Sequence, residues 1–433
     1  MQVAPHASYL RKIFDAAIAA VDPVYAVEQS LDYVRAVFQE NAFRKLIVIG
    51  FGKASHAMAA ACERHLGDLL ASGVIVTKHG HAMPTAQLQK IRVYEAGHPL
   101  PDTQGIQATN EIIRLGREAD EMTLILCLIS GGGSALLVAP REEITLREKQ
   151  LVTNLLLRSG ATITELNAVR KHISRVKGGR LAEIAYPART ISLIVSDVVG
   201  DRLDVIASGP TSPDGSTYAE ALNVLQRYHL SKDTPPSIVR LLDAGEKGLL
   251  PETPKQGSPV FDRVENRIIA NNRLALEAAK QQAEELGFSA QILSSELQGE
   301  AREVAKSLAR QDMAPGLPRP FCLISGGETT VTVKGPGRGG RNTELALAFA
   351  MQVEGTAGIA FLSAGTDGTD GPTDAAGAIV DGQTVAQARS LGLDPTTYLN
   401  NNDSYTFFQQ TGGLLVTGPT GTNVMDIQVI IRS

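Results

Sequence analysis

Leu46-Ile-Val-Ile-Gly-Phe-Gly-Lys53 is a short apolar run that breaks into a glycine turn and a lysine, with an alanine-rich stretch from Ala54 to about Leu70 behind it. A run apolar at every position suits a strand buried on both faces, and the sequel suits a helix folded back over it. The alternation continues on both sides. Val74–Thr77, Ile91–Glu95, Thr123–Ile129 and Ile191–Val195 are further predicted strands, with helices over about 103–118 and 145–158. Upstream, Ile13, Ala17, Ala20, Val24, Val27, Leu31 and Val34 recur at three- and four-residue spacing and predict a helix over 8–40. Apolar strands alternating with amphipathic helices predict a parallel α/β sheet.

Residues 230–265 change character: Pro235, Pro236, Pro251, Pro254 and Pro259 fall among few apolar runs, which reads as a linker or domain junction. A second α/β series is predicted to begin near Asn266, with strands at 267–270 and 289–294 and helices at 272–286 and 298–310. Strands at 320–325 and 329–333 are separated only by Gly326-Gly-Glu328, a hairpin-like spacing that predicts a mixed second sheet. Further strands are expected within 358–381, at 414–417 and at 425–431. Cys127-Leu-Ile-Ser-Gly-Gly132 recurs letter for letter as Cys322-Leu-Ile-Ser-Gly-Gly327. Two similar strand ends and two backbone amide nests facing one cleft are equally good readings of the echo.

The chain has 433 residues, room for two or three domains, and its 43% hydrophobic and 20% charged residues allow a large core. Lys plus Arg number 41 against 46 Asp plus Glu, a net charge of −5, so the overall electrostatic footprint of a nucleic-acid binder is missing. An anionic substrate must then be held by local basic groups. Cys62, Cys127 and Cys322 are too few and too far apart for a disulfide framework or a thiolate zinc site. The apolar part of Phe14 to Val21 is interrupted by Asp15, so no secretory signal is expected. No apolar run nears the roughly 20 residues of a membrane span, and the expected location is cytoplasmic.

In open α/β sheets ligands bind beyond the C-terminal ends of the strands. Four glycine-rich turns fall at expected strand ends: Gly50-Phe-Gly-Lys53, Ser130-Gly-Gly-Gly-Ser134, Ser208-Gly-Pro-Thr211 and Ser325-Gly-Gly-Glu328. Small residues there let backbone N–H groups converge on an anion, so Gly52, Ser130, Gly131, Gly132, Gly133, Ser134, Ser208, Gly209, Gly326 and Gly327 are candidate nucleotide or phosphate contacts. Neither common nucleotide motif is complete. Ser55 stands at the third glycine of GxGxxG, and Lys53 is followed by Ala54 where a Walker A loop needs Ser or Thr. Lys53 still sits where an ammonium would face a bound anion; a solvated lysine on a first helical turn is the ordinary alternative.

Asp197 ends the strand that contains Ile191–Val195, and Asp201 and Asp204 follow. Carboxylates there can accept a hydroxyl proton, orient the hydroxyl or ligate Mg²⁺; helix capping is the ordinary alternative. Asp367, Asp370 and Asp374 crowd Thr366-Asp-Gly-Thr-Asp-Gly-Pro-Thr-Asp374, which suits either Mg²⁺ and a polar substrate or a set of Asx-turns. Residues 170–180 carry Arg170, Lys171, His172, Arg175, Lys177 and Arg180 and no acid; such runs are usually solvated helix faces. Arg341, in Gly335-Pro-Gly-Arg-Gly-Gly-Arg341-Asn-Thr-Glu344, suits a planar oxyanion clamp at a helix start. His98, in Gly97-His-Pro-Leu-Pro101, reads as a turn residue with an orienting role open to it. No HExxH or GxSxG occurs, which disfavours zinc-hydrolase and serine-hydrolase chemistry.

Taken together these motifs resemble one family. Gly50-Phe-Gly-Lys-Ala-Ser55, Gly97-His-Pro-Leu-Pro-Asp102, Leu128-Ile-Ser-Gly-Gly-Gly-Ser-Ala-Leu-Leu137, Asn167-Ala-Val-Arg-Lys-His172 and Ser196-Asp-Val-Val-Gly-Asp201 are similar to the two-domain class II glycerate 2-kinases. So are Ala207-Ser-Gly-Pro-Thr211, Gly337-Arg-Gly-Gly-Arg-Asn342 and Gly365-Thr-Asp-Gly-Thr-Asp-Gly-Pro-Thr-Asp374. The resemblance implies an N-terminal Rossmann-like doubly wound domain, placed at 1–240, and a smaller C-terminal MOFRL-type α/β domain with a mixed sheet at 241–433. It implies an active site in the cleft between them, with ATP and Mg²⁺ as cofactors and D-glycerate as the small-molecule partner, yielding 2-phosphoglycerate. Lys53, Asp197 and Arg341 fall on the family's catalytic positions. Lys53, Arg341 and Asp367 are expected to bind substrate, and Asp201 and Asp370 to ligate the metal. A hydroxypyruvate reductase using NAD(P)H and a non-catalytic sensor of nucleotide or sugar acid are the competing readings. Neither a nucleic acid nor a membrane is an expected partner, and monomer and homodimer are both open.

Overall fold

The computed structural model describes residues 5–82, 87–311 and 318–433. By contacts the chain divides into two compact units, one of Pro23–Ser196 with Asp201–Ile269, the other of the N-terminal segment through Asp22, Asp197–Gly200 and Ala270–Ser433.

The first unit is built on a six-stranded sheet: β1 (Lys45–Phe51), β2 (Leu70–Lys78), β3 (Ile91–Ala96), β4 (Thr123–Ile129), β5 (Arg189–Val195) and β6 (Val264–Ala270). Their order is β3-β2-β1-β4-β5-β6, and β1 to β5 are paired in parallel. The sequence quoted first lies at the centre, where β1 is buried from Leu46 to Phe51 and β4 along its whole length. Strand order reverses between β1 and β4, and at such a switch point the two following loops part and leave a crevice. Those loops are Gly52–Ala54 and Ser130–Gly132. Among the helices beside this sheet, the helices Leu146–Arg158, Ile163–His172 and Tyr218–Arg227 each open on a threonine capping box, at Thr145, Thr162 and Thr217.

The second unit carries β7 (Ser289–Glu300), β8 (Phe321–Thr330), β9 (Ile359–Gly365), β10 (Gly377–Asp381), β11 (Leu414–Leu415) and β12 (Asp426–Arg432). The order is β11-β10-β9-β12-β8-β7, with β7 and β8 parallel and the other pairs antiparallel. The mixed sheet is as expected, but for another reason than the hairpin: residues 321–330 form one strand. Gly326 and Gly327 are not a turn. They pair with Ile427 and Asp426, and a Cβ at either would overlap the Asn272 side chain or the Leu297 backbone. Close approach of neighbours, not chain reversal, requires glycine there. The helix Arg341–Gln352 is buried from Asn342 to Ala350, and Phe349 stacks on Phe361 of β9 at 4.1 Å.

Two boundaries differ from expectation. The stretch 230–265 is no linker: the helix Pro236–Glu246 buries Ile238, Leu241 and Leu242 in the first unit's core. After it the chain returns as β6 to the edge of the first sheet, held by Asn266, which donates to the Thr211 carbonyl at 2.9 Å. The second unit therefore begins near Ala270, not at 241. The expected 8–40 helix is two helices, Pro5–Ala20 and Pro23–Glu40, since Pro23 can begin a helix but cannot continue one. The earlier helix belongs to the second unit, where Leu10, Ile13, Phe14 and Ala17 are fully buried and Tyr9 meets Phe288 edge to face. Among the described residues no helix is long and apolar enough to cross a membrane.

Candidate functional site

In the first unit the β1 and β4 turns are laced together. The Lys53 amide donates to the Gly131 carbonyl at 2.8 Å, and the Ala54 amide donates to Ser130 Oγ at 3.1 Å. The Gly52 amide is taken by the Val76 carbonyl, and Thr77 Oγ1 donates to the Lys53 carbonyl. Lys53 is thus pinned through its backbone by both neighbouring strands. Its ammonium has no hydrogen bond or ion pair among the described residues, and neither do the amides of Gly131 and Gly132. Of the four glycine-rich turns expected at strand ends, those of β1 and β4 meet here, and these two N–H groups and the ammonium stand unspent among the described residues.

Gly132 has a left-handed φ of 84°, and a Cβ there would stand 3.0 Å from His98 Cδ2 and 3.4 Å from Lys53 Cγ. His98, Lys53 and the turn therefore form one group. The His98 pKa is pushed down to about 4, first by burial and then by the charges of Lys53, Lys78 and His81. A neutral imidazole beside two ammonium groups marks a positive pocket, suited to an anion.

Behind the same turn, Ser134 Oγ and Ser208 Oγ share a hydrogen bond at 2.9 Å, and Ser208 Oγ donates to Asn167 Oδ1 at 3.0 Å. The amides of Ser208 and Gly209 are spent within their own turn, on Val205 and Ile206. The basic run that follows is not a solvated face. Lys171, His172, Lys177 and Arg180 are all buried, with Lys171 paired to Asp214 at 3.0 Å and His172 to Glu252 at 3.0 Å. Its lack of any acidic residue was the readable sign, since a solvated helix face usually mixes both charges.

In the second unit the functional candidates gather where β8 and β9 end beside the start of β12. Asp426 lies opposite both Gly327 and Gly365. Arg341, first residue of its helix, donates from Nε and Nη2 to the two Asp426 oxygens at 2.5 and 2.9 Å, and its Nη1 lies 2.8 Å from Glu328 Oε1. Burial alone would lower the guanidinium's pKa, but Asp426, Glu328 and Asp370 together raise it. The Glu328 carboxyl is raised by lost hydration and by Asp426 and Asp367. Asp426 and Glu328 were not singled out in the sequence; nothing in Val424-Met-Asp-Ile427 marks an aspartate that enters a strand.

Asp367 lies beside Asp426 near Gly365 and also accepts from the Thr369 amide at 3.0 Å, an Asx-turn. Asp370 does not stand where a metal ligand would. It is 2% exposed and accepts from the Asn342 and Thr343 amides at 2.9 and 2.8 Å and from Thr343 Oγ1 at 2.7 Å, so it anchors the helix that begins at Arg341. Asp374 accepts from the Tyr405 hydroxyl. Among the described residues no group of three or more His, Cys, Asp or Glu could hold a metal ion. Asp201 closes the turn Val199–Asp201 and Asp197 precedes it, with Asp197 grouped in the second unit and Asp201 in the first.

The family described as a domain of unknown function, DUF4147, matches residues 9–243, and the MOFRL family matches residues 321–426. The chain is 45% identical over 416 residues to the D-glycerate 2-kinase of Thermotoga maritima, covering 93% of this chain and 96% of that one. It is 42% identical to the glycerate 2-kinase of Pyrococcus horikoshii, covering 96% of this chain and 94% of that one. A relative from Agrobacterium vitis, 43% identical over 98% of this chain and 93% of its own, is named provisionally as a hydroxypyruvate reductase. The crystal structure of the Thermotoga maritima glycerate kinase matches with a TM-score of 0.88 at 44% identity, covering 98% of this chain and 99% of that one.

Proposed function

Because the chain belongs to the DUF4147–MOFRL family of two-domain glycerate 2-kinases, we propose that it transfers the γ-phosphoryl group of ATP to the 2-hydroxyl of D-glycerate, releasing ADP and 2-phosphoglycerate. The observation that carries this reading is Lys53, an ammonium with no protein partner among the described residues, set beside the unspent Gly131 and Gly132 amides at the switch point of a parallel sheet. Phosphoryl transfer asks little covalent help; it needs in-line positioning and neutralisation of charge on the transferring oxygens.

In the mechanism we propose, Asp197 orients the glycerate 2-hydroxyl and accepts its proton as the new P–O bond forms. Lys53 neutralises the equatorial oxygens from the first unit. Arg341 does so with the N–H groups that Asp426 and Glu328 leave over, and those two carboxylates hold its plane still. Mg²⁺ enters as part of the MgATP substrate, which needs one or two carboxylates and not an all-protein cage. Of the two metal candidates Asp201 is retained and Asp370 is not, its oxygens being spent on the helix start. Asp367 is retained as a substrate contact.

The reductase reading lacks a dinucleotide seat. Ser55, in the place of the third glycine, is buried and donates to the Gly52 and Val76 carbonyls at 2.8 and 3.0 Å. The test is ADP release from MgATP with D-glycerate, with 2- and 3-phosphoglycerate resolved by ³¹P NMR. NADH oxidation by hydroxypyruvate without ATP, or no ADP release, would overturn the kinase.

A further inference from the structure

Where the first unit buries a lysine for structural reasons, it supplies a carboxylate: Lys171 has Asp214 at 3.0 Å. Three neighbouring cations receive none among the described residues. Lys149 and Lys177 are 3% and 0% exposed, and Arg170 is half-buried. Lys177 Nζ donates only to the Ala207 carbonyl, at 3.3 Å, and the charged ends of Lys149 and Arg170 make no hydrogen bond or ion pair among the described residues. The three lie near enough to oppose one another's charge. Burial and then Lys149 and Arg170 press the Lys177 ammonium well below its ordinary range, and burial and then Arg170 bring Lys149 to about 8. Like charges buried together without a counter-ion are unfavourable, and a fold keeps them where something else completes them.

Two further features lie at the same place. Asn167, 2% exposed and one helical turn before Arg170, has its Oδ1 taken by Ser208 while its Nδ2 is buried with no partner. Ala207 and Ser208 are consecutive non-glycine residues in the left-handed region, with φ of 51° and 65°, on the segment whose Ala207 carbonyl receives Lys177. Buried unsatisfied donors and strained backbone mark sites that bind. The place is also tied to the crevice: a Cβ on Gly133 would stand 2.8 Å from Ala207 Cβ, and Ser134 bonds Ser208.

We propose that Lys149, Arg170, Lys177 and the Asn167 amide form a buried anion site, bordered by Ser134 and Ser208, that receives the carboxylate of the acceptor hydroxy acid. This rests on the kinase reading above and reassigns Ser134 and Ser208 from the nucleotide to the acceptor. A small carboxylate, with two oxygens and one charge, suits so enclosed a setting better than a polyphosphate that carries its own metal. Seating the acceptor there also keeps water from competing for the phosphoryl group. It further gives specificity, because an acceptor without the carboxylate leaves the cations unpaired.

The experiment compares wild type with Lys177→Met and Arg170→Gln, using D-glycerate and its neutral amide, glyceramide, each with MgATP. Wild type should prefer D-glycerate by at least about a hundredfold in kcat/KM. Each variant should raise the KM for D-glycerate by about tenfold or more, keep the KM for MgATP within about twofold, and lose most of the preference over glyceramide. A rise in the MgATP KM alone would give the site to the nucleotide phosphates, and no change in either KM would make the cluster structural; both overturn the proposal. Melting curves add a readout independent of turnover. Lys177→Met should melt above wild type without ligand, because an unpaired cation is gone, and should lose the rise that D-glycerate gives wild type. A lower melting point with that rise intact overturns it. If wild type releases no ADP, the kinase falls; a D-glycerate melting shift in wild type that Lys177→Met lacks would still uphold the anion site, and no shift in either would remove both.

Discussion

Arg341 and Asp426 meet fork to fork, Nε to Oδ2 at 2.5 Å and Nη2 to Oδ1 at 2.9 Å, with the carboxylate wholly buried and the guanidinium side chain 34% exposed. The arginine is therefore half catalytic candidate and half counter-ion. Read from the sequence alone, Arg341→Ala removes a clamp and leaves the fold alone. With Asp426 beneath it, the same change also strands a buried carboxylate, which typically costs about 3 kcal/mol. We expect Arg341→Ala to lower both kcat, by about a hundredfold or more, and the urea midpoint. Arg341→Ala/Asp426→Ala should be less unstable than the sum of the single changes, with a coupling above about 1 kcal/mol. Additive losses in urea titrations would show that the pair does not couple.

Lys53 offers the opposite case. Its backbone is tied to Gly131 and Thr77, but its ammonium is tied to no described residue. Lys53→Ala should consequently leave the urea midpoint near wild type while lowering kcat by about a hundredfold or more, the usual cost of removing a cation aimed at developing charge. Near-normal turnover in a folded variant would remove Lys53 from the reaction.

His98 should make the protein acid-sensitive in a defined window. An unfolded imidazole binds its proton near 6.5, whereas burial and the charges of Lys53, Lys78 and His81 hold the folded one off until about 4. Between those values the unfolded chain carries more protons, so stability falls as the pH drops from about 6.5 to about 4 and this residue adds no further slope below. His98→Gln removes the titration. Its urea midpoint should change less than that of wild type between pH 7 and 4.5, and parallel curves would show that His98 does not titrate in this way.

The first sheet was legible because buried parallel strands announce themselves: Leu46–Gly50 and Leu124–Ile129 are apolar at every position and each runs into a glycine turn. The second copy of Cys-Leu-Ile-Ser-Gly-Gly shows the limit of that signal. Identical letters end β4 at a turn but continue as strand in β8, because Asn272 and Leu297 press against Gly326 and Gly327. Local sequence cannot tell a glycine needed for reversal from one needed for room. The end of the first unit was misplaced for a related reason: the prolines of 251–259 look like a linker, and only the pairing of β6 beyond β5 shows that the chain turns back. At the site, Lys53 and Arg341 were found from their motifs. Asp426, Glu328 and the burial of Lys149 and Lys177 were not, since partnership across 85 residues and depth beneath a turn leave no mark on a linear chain.

Asp370 separates a structural from a catalytic reading of the acidic loop. Its carboxylate accepts two amides and a hydroxyl at the start of the helix Arg341–Gln352, and its own pKa is raised by burial even so. Losing such a cap typically costs about 1–2 kcal/mol, and here it would also loosen the residue from which Arg341 projects. Asp370→Ala should thus melt lower than wild type and turn over more slowly, yet need no more Mg²⁺ for half-maximal rate. Asp370→Asn, which keeps one acceptor for the amides, should recover part of both losses. A Mg²⁺ titration shifted about tenfold or more in Asp370→Ala, with its melting point unchanged, would return this carboxylate to the metal, because losing a group that holds or orients a metal typically costs about 10–100-fold in affinity.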